Sequence, residues 1–136
     1  MRQALQQEPD NTRLLLSFGN LLLQLREFEA AEQQLKAVLE RSPNDPRALS
    51  ALGYVRLEQN DVEGAIFYLQ SAIRISPNHM LAHFHLGNAF MQRGLRDQAI
   101  EEYENAIALK HDYADAHYNM GVAFLKEGLI DEAIIE

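Results

Sequence analysis

The sequence predicts an all-α protein built of stacked, antiparallel helix pairs, and three observations carry that expectation. Gly19, Gly53, Gly87 and Gly121 recur at a constant interval of 34 residues. Ala31, Ala65, Ala99 and Ala133 keep the same interval, as do Pro9, Pro43 and Pro77, with His111 in the next proline slot. Between these markers apolar residues fall at helical spacing: Leu49, Leu52, Val55 and Leu57, then Ala65, Leu69, Ala72 and Ile73. Independent series sharing one period make internal repetition the organising fact of the chain.

The units run in order along the chain. Residues 1–11 read as the tail of a preceding unit, with Ala4, Leu5 and Pro9 in the expected slots. Residues 12–45, 46–79 and 80–113 form three units, and residues 114–136 form a fourth that is cut short. A large apolar residue precedes each glycine (Phe18, Leu52, Leu86, Met120), and another recurs in the second half of the unit (Leu35, Leu69, Tyr103). Asn60-Asp61 and Arg93-Gly94 punctuate between the two helices. Pro43-Asn44-Asp45-Pro46 joins one unit to the next, with Asp45 suited to cap a helix and Pro46 to its first turn. At the C-terminal end, Asp131 is expected to open another second helix.

The small residues have a packing reason. Gly53 and Ala65 fall where the two helices of a unit should approach most closely, and overpacking there costs about 1–3 kcal/mol. A glycine inside a helix costs about 1 kcal/mol relative to alanine, so its use in every unit implies a compensating close contact. No polar capping helix is visible at either end, so the chain reads as part of a longer array. Apolar surface around Phe124, Ala133 and Ile134 is then left without a following unit to cover it.

This pattern resembles the tetratricopeptide repeat (TPR) family. In the clearest unit, Met80 to Tyr113, the matching residues are Leu86-Gly87, Phe90, Gly94, Ala99, Tyr103 and Ala106. Departures are few. Leu15, Leu49, His83 and His117 hold a slot often given to tryptophan, Arg56 replaces an aromatic, Val38 a small residue, and His111 a proline. The resemblance implies a right-handed superhelical solenoid whose first helices line a concave groove. It also implies that side chains facing the groove hold a partner. That set includes Leu16, Asn20, Arg47, Tyr54, Phe84, His85, Asn88, Tyr118 and Asn119, with Arg13, Ser17, Ser50, Ala51, Leu81, Asp115 and Val122 beside them. The carboxylate clamp of the chaperone-binding subclass is not supported. Asn88 and Asn119 match its asparagines, but Phe84 stands where its first lysine belongs. Nor is the asparagine ladder of O-linked N-acetylglucosamine transferase, because only Asn119 fits its slot.

Charge narrows the partners. The net charge is -8, from 20 acidic and 12 basic side chains, and no Lys/Arg cluster offsets it. Polyanions and anionic membranes are disfavoured, so neither nucleic acid nor direct membrane binding is expected. There is no cysteine, hence no disulfide and no thiolate metal site. That fits the cytoplasm, and the stretch from Met1 to Pro9 lacks the apolar core of a signal peptide.

His79 and His83 stand one helical turn apart, a spacing that suits two ligands of one ion. No acidic third ligand follows at a known spacing, so packing or solvated histidines are favoured and no metal or cofactor is expected. The Glu101-Glu102-Glu104 and Asp131-Glu132 carboxylates suit helix starts and outer faces better than acid–base catalysis. The chain is therefore expected to be no enzyme, but a scaffold that binds a peptide or protein segment in a concave groove. Two alternatives stay open: a targeting or regulatory array of a larger enzyme such as a glycosyltransferase, and a scaffold that self-associates through its uncapped ends.

Overall fold

The computed structural model describes residues 11–135, with side chains through Gly128. Among those residues it holds seven helices and no strand: α1 (Thr12–Gln24), α2 (Phe28–Arg41), α3 (Pro46–Glu58), α4 (Val62–Ile75), α5 (Met80–Gln92), α6 (Arg96–Leu109) and α7 (Ala114–Ile135). First helices begin at Thr12, Pro46, Met80 and Ala114, and second helices at Phe28, Val62 and Arg96, so the sequence period is also the structural period. The expected tail of a preceding unit lies outside the described residues, except Asn11.

Side chains start several helices by satisfying amides that have no partner within the helix. Asn11 accepts from Leu14 N at 3.2 Å, Asp45 from Arg47 N at 3.0 Å and Asp61 from Gly64 N at 3.0 Å. His79 does the same for α5, its Nδ1 accepting from Ala82 N at 3.3 Å. The reversals inside the pairs turn on a left-handed residue: Arg26 (φ 60°), Asn60 (φ 64°) and Gly94 (φ 77°), again one period apart. A side chain in that region costs about 1–2 kcal/mol. Glycine avoids the cost, whereas Arg26 offsets it with a guanidinium 5.0 Å from the Phe28 ring centre and a 3.0 Å ion pair to Glu58.

The next slot in this series is Gly128, and there the structure departs from the expectation. α7 runs unbroken for 22 residues from Ala114 to Ile135, where the sequence suggested a turn and a second helix opening at Asp131. Second helices α2, α4 and α6 each have 14 residues to lay against their partners. Continuing the helix through this slot keeps its backbone hydrogen bonds unbroken.

The glycine series works by contact. A Cβ on Gly53 would meet Leu69 Cγ at 2.5 Å, one on Gly87 would meet Tyr103 Cε1 at 2.6 Å, and one on Gly19 would meet Leu35 Cδ2 at 3.1 Å. Leu35, Leu69 and Tyr103 are buried, as are Ala31, Ala65 and Ala99. Each pair thus closes a large side chain of the second helix onto a bare stretch of the first. Arg56, in an aromatic slot, is half-buried. It pairs with Glu32 of the preceding unit at 2.6 Å and lies 5.9 Å from the Tyr68 ring centre, so it ties two repeats as an aromatic would.

Every helix packs on the next, and first helices also pack across repeats: α1 on α3, α3 on α5, α5 on α7. Second helices do not meet one another to a comparable extent. The stack therefore curves with its first helices inside. Its core forms two clusters that share Leu39 and Tyr68 at their border. Among the described residues no helix is long and apolar enough to cross a membrane.

Candidate functional site

The inner face carries two adjoining cavities. The larger, of ≈ 380 Å³, is walled by Tyr54, Leu57 and Glu58 of α3, by Phe84, His85, Asn88, Met91 and Gln92 of α5, by Tyr103 of α6, and by Asn119 and Val122 of α7. The smaller, of ≈ 220 Å³, is walled by Leu16, Asn20 and Leu23 of α1, by Arg47, Ser50, Ala51 and Tyr54 of α3, by His79, and by Leu81 and His85 of α5. Tyr54 and His85 belong to both, with ring centres 5.0 Å apart, so they form the ridge between the two hollows. Helical spacing makes this arrangement: residues three or four apart share the inner face of each first helix, and cross-repeat packing brings those faces side by side.

The structure brings together most of the residues the sequence singled out. Tyr54, Phe84, His85, Asn88 and Asn119 meet in the larger cavity, and Leu16, Asn20 and Arg47 in the smaller. Tyr118 lines neither and is 72% exposed. Phe84 is more deeply set than a free anchor would be. It is buried, with ring centres of Tyr113 at 5.0 Å, His85 at 5.5 Å and Tyr103 at 6.0 Å. Arg47 is engaged by Asp45, its Nε and Nη2 donating to the two carboxylate oxygens at 3.2 and 3.1 Å.

Sequence reasoning missed Tyr103 as a groove residue. Its ring fills the seat over Gly87, yet its hydroxyl reaches the inner face and donates to Asn88 Oδ1 at 2.6 Å. Asn119 Nδ2 donates to the same oxygen at 2.8 Å. Burial pushes the Tyr103 phenol up to about 12, so it stays a donor at any ordinary pH. The available signal was its place sixteen residues after Gly87, where the earlier units carry leucine without a hydroxyl.

The histidines divide by environment. Burial, helped by His79, pulls His85 down to about 4, so its ring is neutral near pH 7; its Nδ1 is shut off from water with no hydrogen-bond partner. Burial also lowers His79. His83 goes the other way, raised by its hydrogen bond to the Glu102 carboxylate. Its Nδ1 lies 2.7 Å from Glu102 Oε1 and its Nε2 2.7 Å from the Pro77 carbonyl oxygen. With both nitrogens of His83 and the Nδ1 of His79 engaged, the pair suggested by sequence spacing is turned to structural use. Among the described residues no group of three or more histidine or acidic side chains is placed to hold a metal ion.

Comparison with known proteins agrees with the repeat fold. Two sequence models described as tetratricopeptide repeat match residues 16–79 and 56–103, and one described as TPR repeat matches residues 87–128. No curated protein sequence matches the chain. Among solved structures, the crystal structure of the MamA protein is 28% identical with a TM-score of 0.80, over 98% of this chain and 73% of that one. A mutant O-GlcNAc transferase of Thermobaculum terrenum is 27% identical with a TM-score of 0.82, over 85% of this chain but 23% of the transferase. The first TPR domain of Spaghetti, bound to an HSP90 peptide, shares the fold at a TM-score of 0.80 and 14% identity, over 86% of this chain and 93% of that one.

Proposed function

This chain belongs to the tetratricopeptide repeat family, and from that premise we propose that it is a protein-interaction scaffold holding an extended peptide or protein segment against its first helices. The observation that carries the reading is the pair of adjoining hollows on the inner face, separated by the Tyr54–His85 ridge. Two apolar-walled hollows in line suit successive side chains of one extended segment, and amides at their edges suit its backbone. The 12–45, 46–79 and 80–113 units supply one inner helix each, and residues from 114 supply a fourth. The site residues we assign are Leu16, Asn20, Arg47, Tyr54, Phe84, His85, Asn88 and Asn119 in the two hollows, with Tyr118 as an exposed contact outside them on the fourth inner helix. The segment itself performs no catalysis and takes no cofactor in this reading.

Binding is tested by calorimetry with a short peptide selected against the chain from a random displayed library. Tyr54→Ala is expected to weaken it by about 1–3 kcal/mol, because aromatic anchors carry most of such binding energy. Phe84→Ala should weaken it too, with a lower melting temperature, since Phe84 is part of the core. Phe67→Ala, exposed on α4, should change nothing. Unaltered affinity in Tyr54→Ala combined with loss in Phe67→Ala would move the site to the outer face.

One observation favours a second reading. The chain aligns with 23% of the O-GlcNAc transferase, as a repeat array carried by a larger enzyme would. A catalytic domain in the same full-length gene product would place this scaffold in a targeting or regulatory role. Self-association is a third reading, resting on Phe124 at 52% and Leu125 at 64% exposure. A molecular mass by light scattering that stays monomeric across concentration would eliminate it.

A further inference from the structure

The Asn88 side chain is wired differently from the other groove amides, and the wiring has a consequence for what the groove can hold. Two donors converge on its Oδ1: the Tyr103 hydroxyl at 2.6 Å and Asn119 Nδ2 at 2.8 Å. An amide oxygen has two lone pairs, and both are used here. Asn88 therefore has no acceptor to offer. Turning this amide over would require the Asn119 amide to turn with it and the Tyr103 hydroxyl to accept instead of donate; in the arrangement the structure shows, the NH₂ is left to the cavity that Asn88 lines. The neighbouring ridge adds to this: His85 is neutral and its Nδ1 is sealed without a partner, so its proton belongs on Nε2, the nitrogen able to find an acceptor.

Gly87 makes the wiring possible. With no Cβ, it lets the Tyr103 ring lie across α5, with Cε1 2.6 Å from where that Cβ would stand, and so carries the hydroxyl through to the groove. The equivalent seats over Gly19 and Gly53 hold Leu35 and Leu69, which have no hydroxyl to deliver. The positions one and two periods earlier than Asn88 are Tyr54 and Asn20, to which those leucine seats deliver no hydroxyl. The larger hollow is thus distinguished from the smaller by chemistry as well as size.

Resting on the groove reading of the preceding subsection, we propose that Tyr103 is a positioning residue that fixes Asn88 as a hydrogen-bond donor. The larger hollow then selects an extended peptide segment that turns a carbonyl toward Asn88 and seats a large apolar side chain beside it. A segment offering only a donor at that point leaves the Asn88 NH₂ buried and unpaired, which is what makes the choice selective.

The probe is a peptide selected from the displayed random library, remade with single backbone amides replaced by esters, whose carbonyls accept more weakly. One ester position should weaken binding to the wild-type chain and have no further effect in Asn88→Ala, the coupling expected of a direct contact. Tyr103→Phe should weaken the all-amide peptide by about 3- to 10-fold, the worth of one hydrogen bond. It should also shift and broaden the Asn88 side-chain NH₂ signals in the ¹⁵N–¹H spectrum, which a purely structural loss elsewhere would not do. Asn88→Asp, an isosteric acceptor in place of the donor, should weaken binding by tenfold or more. Wild-type affinity in Tyr103→Phe with unmoved Asn88 signals overturns the positioning role. Ester effects that persist undiminished in Asn88→Ala overturn the carbonyl contact. If Tyr54→Ala weakens binding in those same experiments, the groove reading survives while this proposal falls; if Tyr54→Ala is also silent, both fall.

Discussion

Gly87 and Gly121 occupy the same slot one period apart, but they live in different environments. Gly87 is buried under the Tyr103 ring, whereas Gly121 is exposed and a Cβ there would meet nothing within 4 Å. Phe90 and Phe124 are likewise equivalent, one buried at 7% and the other 52% exposed. Gly94 and Gly128 are equivalent too, one at φ 77° in a turn and the other inside a continuous helix. The third repeat and the terminal helix therefore carry the same local code with different outcomes. A repeat's small residues have meaning only when a second helix arrives to use the space they leave.

The widest expected gap between the two regions is at the glycines. Gly87→Leu should destabilise by about 3 kcal/mol or more, because the new side chain must displace the packed Tyr103 ring. Gly121→Leu should be close to neutral or stabilising. Thermal denaturation of the two variants measures this directly, and equal losses would break the comparison.

Histidine replacement gives a smaller contrast. His83 bonds Glu102 and the Pro77 carbonyl from a buried position, while His117, one period later, bonds only the His111 carbonyl from an exposed one. His83→Ala should cost about 1–3 kcal/mol and His117→Ala less than about 0.5 kcal/mol. The first loss carries a pH signature. The folded pKa of His83 is raised, so its stabilisation is fully present below the unfolded value of 6.5 and is lost as pH rises through the folded value. The melting difference between wild type and His83→Ala should accordingly be greater on the acid side of 6.5 than at alkaline pH. His85 has the opposite sign. Its lowered pKa makes its contribution present above 6.5 and lost as pH falls toward about 4. A pH-independent His83→Ala difference would show that the Glu102 contact does not favour the charged ring.

The smallest effect concerns helix propensity alone. Gly121→Ala and Gly128→Ala remove flexible residues from a helix where nothing crowds a methyl group, so each should stabilise α7 by up to about 1 kcal/mol. The reading is circular dichroism during melting. A loss at Gly128 specifically would mean that the chain turns there in solution, as it does at Gly94.

Much of the fold was legible because repetition places like residues in like surroundings. The 34-residue period, the helix pairs, the Asp45–Pro46 start and the glycine seats arise from local propensity and from steric limits at close approach. The inner-face set Tyr54, His85 and Asn88 was also legible once the pairs were drawn, since helical spacing assigns faces. Another series, Ala48, Ala82 and Ala116, each fully buried, keeps the period as well and was passed over because alanine is common and helical spacing alone does not mark it.

Other features were decided by tertiary packing, since they depend on which side chain another helix delivers to a given point. Whether Tyr103 stops in the core or sends its hydroxyl through to Asn88 depends on how closely α5 and α6 approach at Gly87. Whether Phe84 stands free or lies under Tyr113 and Tyr103 depends on where α6 and α7 begin. Whether residue 128 reverses the chain depends on the surface a returning helix would bury. A left-handed glycine is permitted by its own backbone, but only the packing of the next helix stabilises it. Local chemistry dictated the parts and their repeat. Burial, a sum over neighbours distant in sequence, decided which of those parts face the groove.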